Sequence, residues 1–112
     1  MSAPFEIRGY HAHVYFDPET TAPAAAIRRE VAAAFPVSLN NWNDRLVGPH
    51  PCWSYEISFP AALLGAIVPW LMQNRRGLTI FLHPLTGDDL RDHTRFAMWI
   101  GPSRALHLEG LG

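Results

Sequence analysis

The chain has 112 residues and a mass of 12.6 kDa, enough for one small domain over 1–112 with a single core and no second lobe. Hydrophobic residues make up 48% and charged residues 17%, with a net charge of −1, which excludes a disordered chain and leaves no electrostatic footprint for nucleic acid or an anionic membrane. Cys52 is the only cysteine and all nine basic residues are arginine, so an internal disulfide, a thiolate-rich metal site, Schiff-base chemistry and a P-loop are excluded together.

Met1 to Arg8 lack the basic-then-apolar pattern of a signal peptide, so the expected location is cytoplasmic. Tyr10–Phe16 alternates as a strand, with Tyr10, Ala12, Val14 and Phe16 on one face and His11, His13 and Tyr15 on the other. Asp17-Pro18-Glu19 breaks it. Thr20 or Thr21 is then expected to cap a helix with Pro23 in its first turn, running to about Phe35, with Ile27, Val31 and Ala34 as its apolar stripe. A second strand is expected within Val37–Asn43, followed by a long loop over Asn43–Pro51.

Trp53–Phe59 reads as a third strand, with Trp53, Tyr55, Ile57 and Phe59 toward the core and Ser54, Glu56 and Ser58 away from it. Pro60–Asn74 is an apolar helix that Pro69 should kink or split. The apolar run Phe59–Met72, 14 residues with two prolines, is too short to span a bilayer. Gly77 is the expected C-cap, and Leu78–Leu82 the fourth strand, turning Thr79, Phe81 and His83 outward. Thr86–Asp89 is a turn and Phe96–Ile100 a short last strand or helix, leaving a C-terminal extension. The order β-α-β-β-α-β predicts an α+β, ferredoxin-like split βαβ sandwich with both helices on one sheet face. In the strand order 4-1-3-2, strands one, three and four adjoin, and their outer faces form one surface carrying His11, His13, Glu56, Phe81 and His83.

On that surface His11 and His13 point the same way, roughly 7 Å apart at Cα, close enough to converge on one metal ion. His83 should lie beside His11, and Glu56 could complete a two-histidine, one-carboxylate set with open positions for substrate and O₂, an arrangement suited to non-haem Fe(II) and open to zinc or another divalent metal. The competing reading has these histidines facing solvent or a dimer partner. His50, in Gly48-Pro49-His50-Pro51, sits at the far end of the first strand, roughly 20 Å from His83. Unless its loop folds over the sheet or a second subunit intervenes, it cannot share a metal with His83 and reads as an acid/base group. His93 follows Asp89 and Asp92, acids that could orient an imidazole and raise its basicity; those acids also suit a helix start capped by Asp88.

Arg75 and Arg76 close the second helix, where cations suit the macrodipole, though either could grip a substrate carboxylate. Arg75, Tyr15 and Phe81 are the expected substrate contacts. An outward Tyr15 and Phe81 also suit a homodimer. His107 reads as a surface residue, the tryptophans as core, and Cys52 as structural.

Taken in order, Tyr10-His11-Ala12-His13-Val14-Tyr15-Phe16, Val47-Gly48-Pro49-His50-Pro51, Trp70-Leu71-Met72 with Asn74-Arg75, His83-Pro84, Thr86-Gly87-Asp88-Asp89-Leu90, Asp92-His93-Thr94 and Trp99-Ile100-Gly101 resemble the fungal and bacterial DOPA 4,5-dioxygenase family over about nine-tenths of the chain. The resemblance implies a ferredoxin-like fold and extradiol cleavage of a catechol such as L-DOPA by O₂ at a non-haem iron. With that chemistry, His11, His13 and His83 are the expected metal ligands with Glu56 as a possible carboxylate ligand, and His50 or His93 the proton-transfer group. Two other readings compete: a metal-dependent isomerase or hydrolase on the same frame, and a non-catalytic dimer that binds a small molecule between sheets.

Overall fold

The computed structural model describes residues 6–111. Strand β1 (Gly9–Phe16) pairs antiparallel with β3 (Trp53–Pro60) on one side and β4 (Ile80–Pro84) on the other. The two-residue β2 (Ser38–Leu39) and the three-residue β5 (Met98–Ile100) form the edges, giving the order β2-β3-β1-β4-β5. The protein is therefore α+β, with a five-stranded antiparallel sheet. Strands one, three and four adjoin as expected, and Phe96–Ile100 resolves as a strand rather than a helix.

Two-residue alternation assigns one sheet face to the core: Ala12, Val14 and Phe16, then Tyr55, Ile57 and Phe59, then Ile80 and Leu82 are all buried. Helix α1 (Thr21–Ala34) and helix α2 (Leu64–Asn74) both cover this face, α1 through Ala24, Ile27 and Val31, α2 through Ile67 and Leu71. Tyr55 ties the layers together by donating its hydroxyl to the Ala24 carbonyl at 2.7 Å. Among the described residues, no helix is long and apolar enough to cross a membrane.

Several local expectations are corrected. Ala34 is exposed, so the α1 stripe runs Ala24-Ile27-Val31, the i, i+3, i+7 set of one helical face. Neither threonine caps α1 with its side chain: Thr20 Oγ1 instead donates to Asp17 Oδ1 and accepts the Asp17 N–H, closing the preceding turn on itself. Pro69 does not split α2. The break falls earlier, where a 3₁₀ turn (Ala61–Leu63) passes into the α-helix, and Pro69 faces solvent inside a continuous helix at the loss of one hydrogen bond. The fourth strand begins two residues later than expected, although Tyr15 already donates its N–H to the Thr79 carbonyl.

Candidate metal centre

The face away from the helices is built by the alternate residues of the same strands. Across β1 and β4, His11 stands opposite His83 and His13 opposite Phe81; across β1 and β3, His13 stands opposite Glu56. This register brings one nitrogen from each of His11, His13 and His83 within 4.8 Å of one another. The shortest approach is His13 Nε2 to His83 Nε2, 3.0 Å, between two side chains that are both almost fully buried.

The other ring nitrogens fix the tautomers. His83 Nδ1 lies 3.0 Å from the Pro84 carbonyl and must donate to it, leaving Nε2 as a lone pair aimed into the cluster. His11 Nδ1 likewise donates to Glu56 Oε1 at 3.0 Å, freeing its own Nε2. His13 then supplies the proton between the two facing Nε2 atoms. Burial lowers the His13 pKa well below the ordinary range, with further lowering from His50, His83 and His11. His83 is lowered to about 4, again mainly by burial and against the Pro84 hydrogen bond. His11 and His83 thus each aim an Nε2 lone pair at the cluster with an oxygen acceptor behind the ring, and a shift of the His13 proton from Nε2 to Nδ1 would add a third; three such nitrogens are a donor set a divalent transition metal takes, so the residues fit one.

Glu56 borders the cluster, its Oε1 4.0 Å from His13 Nε2. Burial would raise its carboxyl, but the hydrogen bonds from His11 and Asn40 and the His11 charge hold it below its ordinary value. Asn40 Nδ2 donates to Glu56 Oε2.

The loop before β3 folds over this face, meeting the condition on which His50 joins the cluster. Gly48 turns it at φ +54°, Asn43 and Ser54 exchange backbone bonds at its ends, and the His107 N–H donates to the Pro49 carbonyl at 2.8 Å. His50 is thereby buried with its ring centroid 4.1 Å from that of His13, and its Nδ1 is 2.7 Å from the Tyr15 hydroxyl. Burial, then His93 and His83, lower His50 to about 4, and burial raises the Tyr15 phenol, so the pair is neutral. On the other flank His93 stacks on His83 at 4.1 Å. A cavity of about 220 Å³ is lined by His13, His50 and Glu56 together with Asn40, Asn41 and Asn43. A larger cavity, about 440 Å³, lies at the end of β1 beside Asp17, Cys52 and Arg104 and holds none of the histidines.

The chain has relatives among known proteins. The Dopa 4,5-dioxygenase family model matches residues 10–110. The chain belongs to that family. It is 38% identical over 115 residues to the DOPA 4,5-dioxygenase of Amanita muscaria, an alignment covering 95% of this chain and 50% of that protein. It is 31% identical to an uncharacterised 21.2 kDa protein of Botryotinia fuckeliana, over 91% of this chain and 63% of that one. The chain thus spans half to under two-thirds of the length of these relatives. A crystal structure of a candidate dioxygenase from Nostoc punctiforme superposes with a TM-score of 0.91 at 45% identity, covering 92% of this chain and 90% of that one.

The histidines expected at the site, His11, His13, His50, His83 and His93, gather there, and His107 is exposed, as expected. Glu56 is adjacent to them. The acids near His93 act otherwise than expected: Asp89 contributes its backbone carbonyl to His93 Nδ1 at 2.7 Å, while buried Asp92 accepts from the Thr86 N–H and hydroxyl and braces the turn. Asp88 caps the short α3 (Asp89–Asp92), as expected. Tyr15 and Phe81 are not outward surface. The folded-over loop, His93 and Trp99 enclose them, which removes the exposed apolar pair that suited a dimer.

Arg75 lies away from the cluster. Its guanidinium donates to the Leu78 carbonyl at 2.9 Å and packs against Gly101, where φ is +94° and a Cβ would come within 2.5 Å of Nη1. It braces the chain that follows α2, whose last turn holds no basic residue, so neither the substrate role nor the macrodipole role is seen. Trp99, expected in the core with the other tryptophans, instead lies half-buried on the outer face with its ring centroid 4.5 Å from that of Phe81, and the asparagines of the Asn40–Asn43 rim carried no expectation. The rim was visible as three amides in four residues, but nothing in the pattern said which face they would meet.

Proposed function

We propose that this chain is a non-haem Fe(II) extradiol dioxygenase that opens the ring of a catechol such as L-DOPA with O₂. The observation that carries the reading is the convergence of His11, His13 and His83 nitrogens within 4.8 Å, with His13 and the neighbouring Glu56 lining a cavity of about 220 Å³, in a member of a family named for this reaction. We read the architecture as a ferredoxin-like sandwich with a fifth strand appended. His11, His13 and His83 would hold the metal, with Glu56 orienting His11 and near enough to His13 to act as a further ligand. When bound, Fe(II) supplies charge neutralisation of the catecholate and a meeting point for it with O₂.

The protein's own groups do the rest. His50, neutral and held by the Tyr15 hydroxyl, hangs over His13 and can take a proton from a catechol hydroxyl or return one to the opening ring. His93, fixed by the Asp89 carbonyl beside His83, is the second proton-transfer candidate. Phe81 and Trp99 form an apolar backing that keeps water from the histidines.

The test is oxygen uptake by metal-free protein reloaded anaerobically with Fe(II) and given L-DOPA or simpler catechols. The expected result is a visible-absorbing ring-opened product with matching O₂ consumption, lost in His11→Gln and His13→Gln. Iron-loaded protein that consumes no O₂ with any catechol overturns the reading. Zinc-supported turnover without O₂ uptake would instead assign an isomerase or hydrolase.

A further inference from the structure

The two histidines that flank the cluster meet the rest of the protein through the same ring atom, Nδ1, but on opposite terms. His93 Nδ1 lies 2.7 Å from the Asp89 carbonyl, which can only accept, so His93 carries its proton on Nδ1 and a lone pair on Nε2. His50 Nδ1 lies 2.7 Å from the Tyr15 hydroxyl, which can donate or accept.

Burial decides which. Tyr15 is 2% exposed, and its hydroxyl has no other hydrogen-bond partner among the described residues. Were Nδ1 the donor, the phenolic proton would be left in the interior without an acceptor, the costly outcome for a buried polar group. With the hydroxyl donating, that proton is satisfied, Nδ1 is the acceptor, and the imidazole proton of His50 sits on Nε2. Among the described residues, Arg28 Nη1 is the one fully buried side-chain nitrogen or oxygen without a partner. His50 Nε2, which has no partner either, is therefore not sealed in, and the cavity that His50 lines also has His13 and Glu56 in its wall.

Both partners are held from their own sides. The loop turns at Gly48, is closed by the His50 N–H on the Val47 carbonyl at 3.2 Å, and is tied by the His107 N–H to Pro49. Tyr15 belongs to β1, donates its N–H to the Thr79 carbonyl at 2.9 Å, and sets its ring against Phe81 and Trp99.

We propose that Tyr15 is a positioning residue that fixes His50 with its proton on Nε2, so that His50 presents a hydrogen-bond donor to the cavity while His93 keeps an acceptor nitrogen. His50 then serves a ligand oxygen that offers a lone pair or a negative charge, rather than a hydroxyl that has still to give up its proton. Of the two directions open to His50, this selects the giving one; its role toward a catechol rests on the reading above.

Nitrogen-15 NMR of zinc-loaded protein labelled at histidine reads the tautomers directly. In wild type, His50 Nδ1 should resonate as a lone-pair nitrogen and Nε2 as an N–H, and the His93 pattern should be the reverse. In Tyr15→Phe the His50 signals should lose that single-tautomer pattern while those of His93 stay as they were. With Fe(II) and a catechol, His50→Gln, whose amide can donate from about the place of Nε2, should keep a kcat/KM about 10–100-fold above that of His50→Leu. That span is the worth of one hydrogen bond to a charged group. A wild-type spectrum with the proton on His50 Nδ1, or a Tyr15→Phe spectrum unchanged at His50, overturns the Tyr15 assignment and leaves the dioxygenase reading standing. Equal losses in the glutamine and leucine variants overturn the donor role. A protein that turns over no catechol overturns the reading above, and the spectrum still decides the tautomer.

Discussion

The two faces of the central sheet are made by the same strands, one residue out of step, and they could hardly differ more. Toward the helices lie buried aliphatic and aromatic side chains, of which only Tyr55 brings a polar group, its hydroxyl bonded to the Ala24 carbonyl. Toward the loops lie buried His13, His83, Tyr15 and Ser54 and half-buried His11 and Glu56, each of the histidines held through a particular nitrogen. The first face carries the hydrophobic driving force for folding. The second buries polar groups that are tolerable only while hydrogen-bonded and neutral, which makes it the less stable and the more reactive of the two.

Acid should break the second face first. His50 and His83 have folded pKa values near 4, below their ordinary 6.5, so the folded state excludes protons that the unfolded chain accepts. Their contribution to stability is complete above about pH 6.5 and disappears as pH falls through about 4. Denaturant unfolding of the metal-free protein should therefore show a loss of several kcal/mol across that window. A flat profile would mean the histidines are not buried as described.

Ile57→Ala attacks the other face alone. A fully buried isoleucine under both helices should cost about 2–5 kcal/mol in the unfolding midpoint, while the folded fraction keeps its metal affinity. Metal affinity falling in parallel would mean the two faces are not separable. The smallest change, Glu56→Gln, keeps the shape of the side chain but weakens the acceptor behind His11. Metal affinity by competition titration should drop about 10–100-fold, as for other outer partners of a ligating histidine. A much larger loss would identify Glu56 as a ligand in its own right.

Much of this contrast is legible in the sequence because alternation is a short-range signal. Tyr10–Phe16 and Trp53–Phe59 sort their own residues onto two faces, and strand adjacency then brings His83 to His11 and Glu56 to His13. The helical stripe of α1 was legible except at its end, where Ala34 carries too little apolar area to choose a side. What periodicity could not supply is the path of residues 43–52. That segment has no repeat, and its course is set by a turn at Gly48 and by a bond from His107, far along the chain. Missing that path leaves His50 stranded at the wrong end of the sheet and leaves Tyr15 and Phe81 bare. The role of Arg75 was similarly open, since a cation at a helix end reads the same whether it meets a carbonyl or a ligand; the carbonyl of Leu78 decides it.

The bond between His107 and Pro49 has a bearing on how the molecule comes into being. During synthesis His11 and His13 emerge first and must wait for His83, and the latch that keeps His50 over them emerges later still. Until residue 107 has been made, a growing chain carries every side chain of the cluster but not the tether that closes its roof. The roof of the histidine face accordingly closes only after residue 107 has been made, and a chain interrupted before that point would present its histidines unroofed.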